Sequence, residues 1–182
     1  MTKKVKATIL GDGGWGTALA LVSQRRGNDT LLWSAFPAYA KTLEKKRQNV
    51  KFLPGIKLPC RLGITADLRE AVDFGEMIVL AVPTLHFRSF LLKLKKLPWH
   101  GKILVSASKG IENRTCLRPS EIIREVLGAK VRPVVLSGPS HAEEVARRVP
   151  TLTVAASEDA KAASFVQEHF RDPRFRIYVQ KD

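Results

Sequence analysis

The sequence predicts an α/β fold: a mainly parallel sheet with helices packed on its flanks. Three observations carry that expectation. Short apolar runs alternate with helix-favouring stretches along nearly all of the 182 residues, and such alternation is best met by βα units wound onto one sheet. Residues 77–82, MIVLAV, are apolar without a break, the mark of a strand covered on both faces. An early strand and an early helix are separated by a glycine turn in the stretch ILGDGGWGTALA, residues 9–20.

Taken in order, Val5, Ala7, Ile9 and Leu10 supply the first strand. A helix over 15–26 stops at Gly27, a good residue just past a helix end, with polar Asn28 and Asp29 behind it. Residues 30–33 form a short apolar strand, and Pro37 suits the first turn of a helix reaching about residue 47. The stretch 49–59, NVKFLPGIKLP, has two prolines and a glycine and reads as loop. A short strand at 62–65 precedes a helix capped by Asp67, running through Phe74 and ended by Gly75. After the strand at 77–82, Pro83 turns the chain into an amphipathic helix over 84–96, with Leu85, Leu91, Leu92 and Leu94 as its apolar contacts. A strand at 102–107 leads to a helix over 121–127, with Ser120 as its expected cap and Gly128 as its stop. Residues 134–137 make another buried strand. Gly138 and Pro139 open a helix over 140–148, and strands at 152–155 and 175–179 flank a helix at 158–170.

The bulk properties limit what such a protein can be. One domain over residues 1–182, with a core from about 4 to 180, fits the length, and 45% apolar residues are ample for a buried core. No apolar run approaches the roughly 20 residues that span a bilayer. Lys3, Lys4 and Lys6 lead straight into a strand rather than a leader's apolar segment, so a cytoplasmic protein is expected. Cys60 and Cys116 stand far apart and outside any C-x-x-C spacing, as free thiols would. His86, His100, His141 and His169 show no metal-ligand spacing, so no metal is expected. The net charge of +14 has three readings: attraction of small phosphorylated ligands, nucleic-acid binding, or a solvated basic face. The excess is spread out, with 11 basic and 3 acidic residues in 1–60 and 20 and 14 in 61–182. No dense basic tract with interleaved aromatics occurs, which disfavours a nucleic-acid groove.

Gly11, Gly13 and Gly16 stand in G-x-G-x-x-G spacing between strand and helix. Glycine-rich turns are common, so the spacing reads either as a plain βα turn or, as its place between a strand and a helix favours, as that of a Rossmann-like, doubly wound sheet that binds a dinucleotide. Gly11 allows the tight turn, Gly13 lets backbone N–H groups approach a pyrophosphate, and Gly16 lets the helix pack close on the strand. The helix start then offers N–H donors and a positive dipole end to the phosphates. Ligands in such sheets lie beyond the carboxyl ends of the strands, where segments 11–16, 82–88, 106–112 and 137–142 fall.

Within those segments, Lys109 reads either as a ligand-facing phosphate or carbonyl contact or as a solvated loop lysine. Ser140 reads either as part of an anion site or as a helix cap paired with Glu143. Arg88 reaches a phosphate or lies on the surface, and Glu143 and Glu144 read as helix-start charges. The second strand ends Leu32-Trp33-Ser34-Ala35-Phe36, with neither the acid of an NAD site nor the arginine of an NADP site. The choice between NAD and NADP therefore stays open.

Six blocks in order, GDGGWGTALA, LLW, N-x-x-FLPGIKLP from Asn49, VLAVP, SKGIE at 108–112 and SGPSHAEEVA at 137–146 followed by Pro150-Thr151, resemble the amino-terminal half of the bacterial-type NAD(P)-dependent sn-glycerol-3-phosphate dehydrogenase family. The resemblance implies hydride transfer between a nicotinamide and C2 of the pair glycerol 3-phosphate and dihydroxyacetone phosphate, supplying phospholipid synthesis. It implies Gly14 and Trp15 at the cofactor diphosphate and nicotinamide, Lys109 at both cofactor and substrate, Gly138 and Ser140 facing the substrate, and Ala142 touching the cofactor. The sequence departs from the family at Ala35, where Arg or His is common on the adenosine side, and at His141, where Phe is common. The family continues into a helical second domain that carries the general acid/base lysine and a phosphate-gripping arginine. The resemblance thus implies no catalytic acid/base within these 182 residues, and an exposed apolar surface that favours self-association, for example as a homodimer. The alternatives are another dehydrogenase of the 3-hydroxyacyl or 6-phosphogluconate type, which SKGIE and SGPS disfavour, and a basic nucleic-acid-binding module.

Overall fold

The computed structural model describes residues 4–181. Its centre is one eight-stranded sheet in the order β3-β2-β1-β4-β5-β6-β7-β8. The strands are β1 (Lys6–Leu10), β2 (Asp29–Trp33), β3 (Gly63–Thr65), β4 (Met77–Leu80), β5 (Ile103–Ser106), β6 (Val134–Ser137), β7 (Thr151–Ala156) and β8 (Phe175–Gln180). All neighbours pair in parallel except β6 and β7, which run antiparallel with Leu136 opposite Ala155. The chain leaves β1 for β2 and β3 on one side, then returns to place β4 on the other. Strand order therefore reverses between β1 and β4, and the crevice at their carboxyl ends is where such sheets bind ligands.

The helices are α1 (Gly14–Arg26), α2 (Pro37–Lys46), α3 (Leu68–Phe74), α4 (Thr84–Leu94), α5 (Pro119–Leu127), α6 (Ala142–Ala146) and α7 (Ala160–Phe170). Two apolar layers hold the sheet. Ile9, Leu19, Leu32, Leu53, Leu58, Val79, Val145, Val166 and Phe170 join one face to α1, the 49–59 loop, α6 and α7. Leu10, Ile78, Leu80, Phe87, Leu91, Leu104, Ile122 and Ile123 join the other to α3, α4 and α5. Strand β4 is fully buried from Met77 to Leu80, as its unbroken apolar run requires. Asp67 caps α3 by accepting from the backbone N–H groups of Arg69 (2.8 Å) and Glu70 (3.1 Å), a contact worth about 1 kcal/mol. Gly27 ends α1 in the left-handed region at φ 97°.

Two expected helix starts are corrected. Ser120 does not cap α5: Pro119 takes the first helical position, Ser120 is buried inside the helix, and Glu121 accepts instead from the backbone N–H of Arg118 at 2.8 Å. Proline needs no N–H partner at that position, so the helix begins two residues sooner than the serine suggested. Helix α6 is shorter than 140–148, and Ser140 makes no cap to Glu143, because His141 holds the cap position with extended backbone.

Candidate functional site

The glycine turn sits at the β1–β4 crevice, and crowding explains two of its glycines. A Cβ on Gly11 would lie 2.5 Å from the Ala81 carbonyl oxygen, and φ there is 127°. A Cβ on Gly16 would lie 1.9 Å from the Gly11 oxygen and 3.2 Å from the Ala81 Cβ. These two glycines face protein, whereas a Cβ on Gly13 would meet nothing within 4 Å. Gly14 is pinched between the Phe52 carbonyl, 2.6 Å from its would-be Cβ, and the Ala142 Cβ at 3.4 Å. Helix α1 thus opens with no side-chain cap and no acid in its first turn, leaving its N–H groups available to an anion.

A cleft of ≈ 480 Å³ extends from this turn. Gly13 to Gly16 form one wall, Ala81 to Pro83 and Ala107 to Lys109 a second, and Ser140 to Ala142 the third. Lys109 spans it. Its Nζ donates to the Ser140 carbonyl at 2.9 Å and reaches Ser140 Oγ and the Gly138 carbonyl at 3.3 Å each. It also stands 5.2 Å from the centre of the Trp15 ring, within cation–π range. The indole Nε1 of Trp15 is buried without a partner among the described residues, a donor left for something else to satisfy. Of the residues named from the sequence, Gly13, Gly14, Trp15, Gly16, Lys109, Ser140 and Ala142 line the cleft. Gly11 packs behind the turn. Gly138 packs against β7, its would-be Cβ 2.8 Å from the Leu152 oxygen, and offers only its carbonyl to Lys109. A larger cavity of ≈ 660 Å³ lies elsewhere, at the carboxyl ends of α1 and α7.

Arg88 does not face the cleft as a phosphate contact. Its guanidinium forks onto Glu112 (Nε to Oε1 2.8 Å, Nη2 to Oε2 2.8 Å) and onto Glu125 (2.9 and 3.1 Å). Glu112 closes the Lys109 loop, which Thr84 also holds by donating to the Lys109 carbonyl at 2.6 Å. The hydrogen bonds from Arg88, and then from Thr115, hold the Glu112 carboxyl down at about 2 against an ordinary 4.5. A depressed carboxyl stabilises the fold above its unfolded value, and that contribution is lost as pH falls from about 4.5 towards 2. Replacing Glu112 with Gln should therefore flatten the fall in melting temperature across that window. A variant curve parallel to the wild type would contradict this assignment.

One organising residue was missed. Asn49, fully buried at the head of the 49–59 loop, donates through Nδ2 to the Asp12 carbonyl and to Thr17 Oγ1, both at 2.7 Å. Its Oδ1 accepts from the Tyr39 hydroxyl (2.6 Å) and the Phe52 N–H (3.0 Å). Asn49 staples the loop to the glycine turn, which brings the Phe52 carbonyl over Gly14. The signal was present in the N-x-x-F block, but composition alone reads that block as loop.

Fold and cleft together define a dinucleotide-binding type of domain, with strand, glycine turn and helix start at the point where strand order reverses. Comparison with known proteins narrows this. Residues 6–163 match the NAD-dependent glycerol-3-phosphate dehydrogenase N-terminus. A glycerol-3-phosphate dehydrogenase [NAD(P)+] of Chlorobium phaeobacteroides is 41% identical over 180 residues, covering 98% of this chain and 54% of that protein. The enzyme of the same name from Listeria innocua is 43% identical over 184 residues, covering 100% and 54%. A crystal structure of glycerol-3-phosphate dehydrogenase from Coxiella burnetii superposes with a TM-score of 0.90 at 32% identity, over 97% of this chain and 54% of that one. The chain belongs to the NAD(P)-dependent glycerol-3-phosphate dehydrogenase family, as its amino-terminal, Rossmann-type domain. It spans about half the length of the curated relatives it matches. A pyrroline-5-carboxylate reductase from Coxiella burnetii, at TM-score 0.73 and 15% identity, shares the fold alone. No helix among the described residues is long and apolar enough to cross a membrane, and both cysteines are free and exposed.

Proposed function

We propose that this chain is the cofactor-binding half of a cytoplasmic oxidoreductase that interconverts sn-glycerol 3-phosphate and dihydroxyacetone phosphate, supplying glycerophospholipid synthesis. The observation that supports it most is the convergence of three segments on one cleft: the uncapped start of α1, Lys109, and the 138–142 turn. The residues present fit a dinucleotide. Gly13 leaves open space where a diphosphate would lie, Gly14 and Trp15 offer helix-start N–H groups, and Gly11 and Gly16 keep the turn compact. Ala142 closes the cofactor side, while Gly138 and Ser140 hold Lys109 towards the substrate.

Reduction of the ketone puts a hydride on C2 and a proton on its oxygen, and the nicotinamide supplies the hydride when bound. Lys109, its Nζ free to exchange Ser140 for a substrate oxygen, orients and polarises that oxygen. Lys109 and His141 are the titratable side chains at the cleft, and by the resemblance to the family the proton donor is assigned to neither but to the half of the relatives that these residues do not match. Loss of a general acid typically costs about 10²–10⁴-fold. The purified 182-residue chain should therefore bind NADH or NADPH in calorimetric titration, yet oxidise them with dihydroxyacetone phosphate at least about 100-fold more slowly than a whole enzyme. No heat with either coenzyme would refute the first part, and full-rate turnover the second. Exposed Leu85, Ile111 and Leu92 give the chain apolar surface for self-association, including a homodimer.

A further inference from the structure

We infer that Asp12, the residue between the first two glycines, selects NAD(H) over NADP(H), an inference that rests on the cleft holding a nicotinamide coenzyme. In doubly wound sheets an acid at the end of the second strand accepts from the ribose 2′-hydroxyl, whereas arginine there accommodates a 2′-phosphate. Strand β2 is followed here by Ser34-Ala35, with neither. The fold supplies the acid from the adjoining turn instead. The Gly11 N–H donates to the Trp33 carbonyl at 3.1 Å, tying the ends of β1 and β2 together. One residue further on in each segment, Ser34 Oγ donates to Asp12 Oδ2 at 2.6 Å.

This carboxylate is unusual for the chain. It is only 7% exposed, yet no lysine or arginine pairs with it among the described residues, in a sequence holding 31 such cations. Its other oxygen, Oδ1, accepts no hydrogen bond among those residues, although the Ser34 bond fixes the carboxyl's orientation. Oδ1 is not among the buried atoms left without a partner, so it is open to water, and a hydroxyl donor can take the place of that water. The neighbouring Tyr39 hydroxyl is pushed up, chiefly by its burial, with the Asp12 charge adding to the effect. A ribose 2′-hydroxyl can donate to Oδ1, while a 2′-phosphate in the same place meets like charge. Exposed Ala35 offers no cation to offset it.

Calorimetric titration of the chain with NADH and with NADPH tests this. NADH should bind at least ~10-fold tighter, the scale of one close like-charge contact. Asp12→Asn, which keeps an oxygen to accept from Ser34 but loses the charge, should shrink that preference ~10-fold. Asp12→Asn with Ala35→Arg should reverse it. Melting curves of the variants show whether they fold. Equal affinity for both coenzymes in the wild type, or a variant that weakens both by the same factor, would overturn the role of Asp12 and leave the coenzyme reading standing. Failure of the wild type to bind either coenzyme would overturn that reading as well.

Discussion

Gly16→Ala should lower the melting temperature by roughly 6–12 °C, while Gly13→Ala should leave it within ~2 °C of the wild type. The first substitution places a methyl 1.9 Å from the Gly11 oxygen and 3.0 Å from its carbon, so backbone must move against backbone. Overpacking of side chains costs about 1–3 kcal/mol, and here no flexible group can yield, so about 3 kcal/mol is the expected loss. The displaced turn also shifts Gly11, whose backbone runs too close to the Ala81 carbonyl to leave room for a Cβ, opening the β1–β4 crevice. Gly13 is different because its would-be Cβ meets nothing and its φ of −62° suits any residue. Its methyl costs nothing in the free protein but occupies the floor of the cleft, so NADH affinity should drop about 10-fold or more. Thermal melts and titration of the two variants separate the roles of the two glycines. A Gly16→Ala protein as stable as the wild type would mean that α1 does not pack on β1 as described.

The elements that were readable in the sequence are those in which one physical cause acts alone. Met77 to Leu80 had to be a central strand, because an apolar run of that length is stable only when covered on both sides. Asp67 and Gly27 marked helix ends because capping is local chemistry. Where two local causes compete, sequence misleads. At α5 both Pro119 and Ser120 can begin a helix, and proline takes the first position because nothing there needs its missing N–H. At α6 the hydroxyl of Ser140 is drawn away from Glu143 by Lys109, a partner 31 residues distant that no local rule includes. Arg88 illustrates the same limit. Its position after β4 left a phosphate contact and a surface placement both open, and neither foretold that Glu112 and Glu125 arrive from two later segments and use both edges of the guanidinium. The glycine turn, by contrast, was legible in its packing, with Gly11 and Gly16 standing where a Cβ would meet backbone, since its spacing encodes backbone approach rather than side-chain pairing. Asn49 lay beyond reach because its four partners come from the turn, α1, α2 and its own loop.

Lys109→Met should cost little stability and much of the coenzyme affinity. Lys109 is exposed, and its Nζ donates to carbonyls that water can satisfy equally well in its absence, so the melting temperature should move by less than ~3 °C. Its effect on binding has a different origin. Loop 108–112 is anchored without it, by Ser108 Oγ to the Val82 carbonyl at 2.6 Å and by Thr84 to the Lys109 carbonyl, so the substitution removes a charge from a cleft whose shape persists. A hydrogen bond to a charged group contributes about 1.5–3 kcal/mol, equivalent to roughly a 10–150-fold weaker complex with NADH. Lys109→Arg should restore it only in part, because a guanidinium can stack on the Trp15 face but spreads its charge over a longer, planar group than the ammonium seated 2.9 Å from the Ser140 carbonyl. Ser140→Ala should have a smaller effect, since the shorter contact from Lys109 runs to the Ser140 backbone carbonyl. Unchanged NADH binding in Lys109→Met would place the coenzyme away from this wall of the cleft and leave Lys109 as the lid of an empty groove.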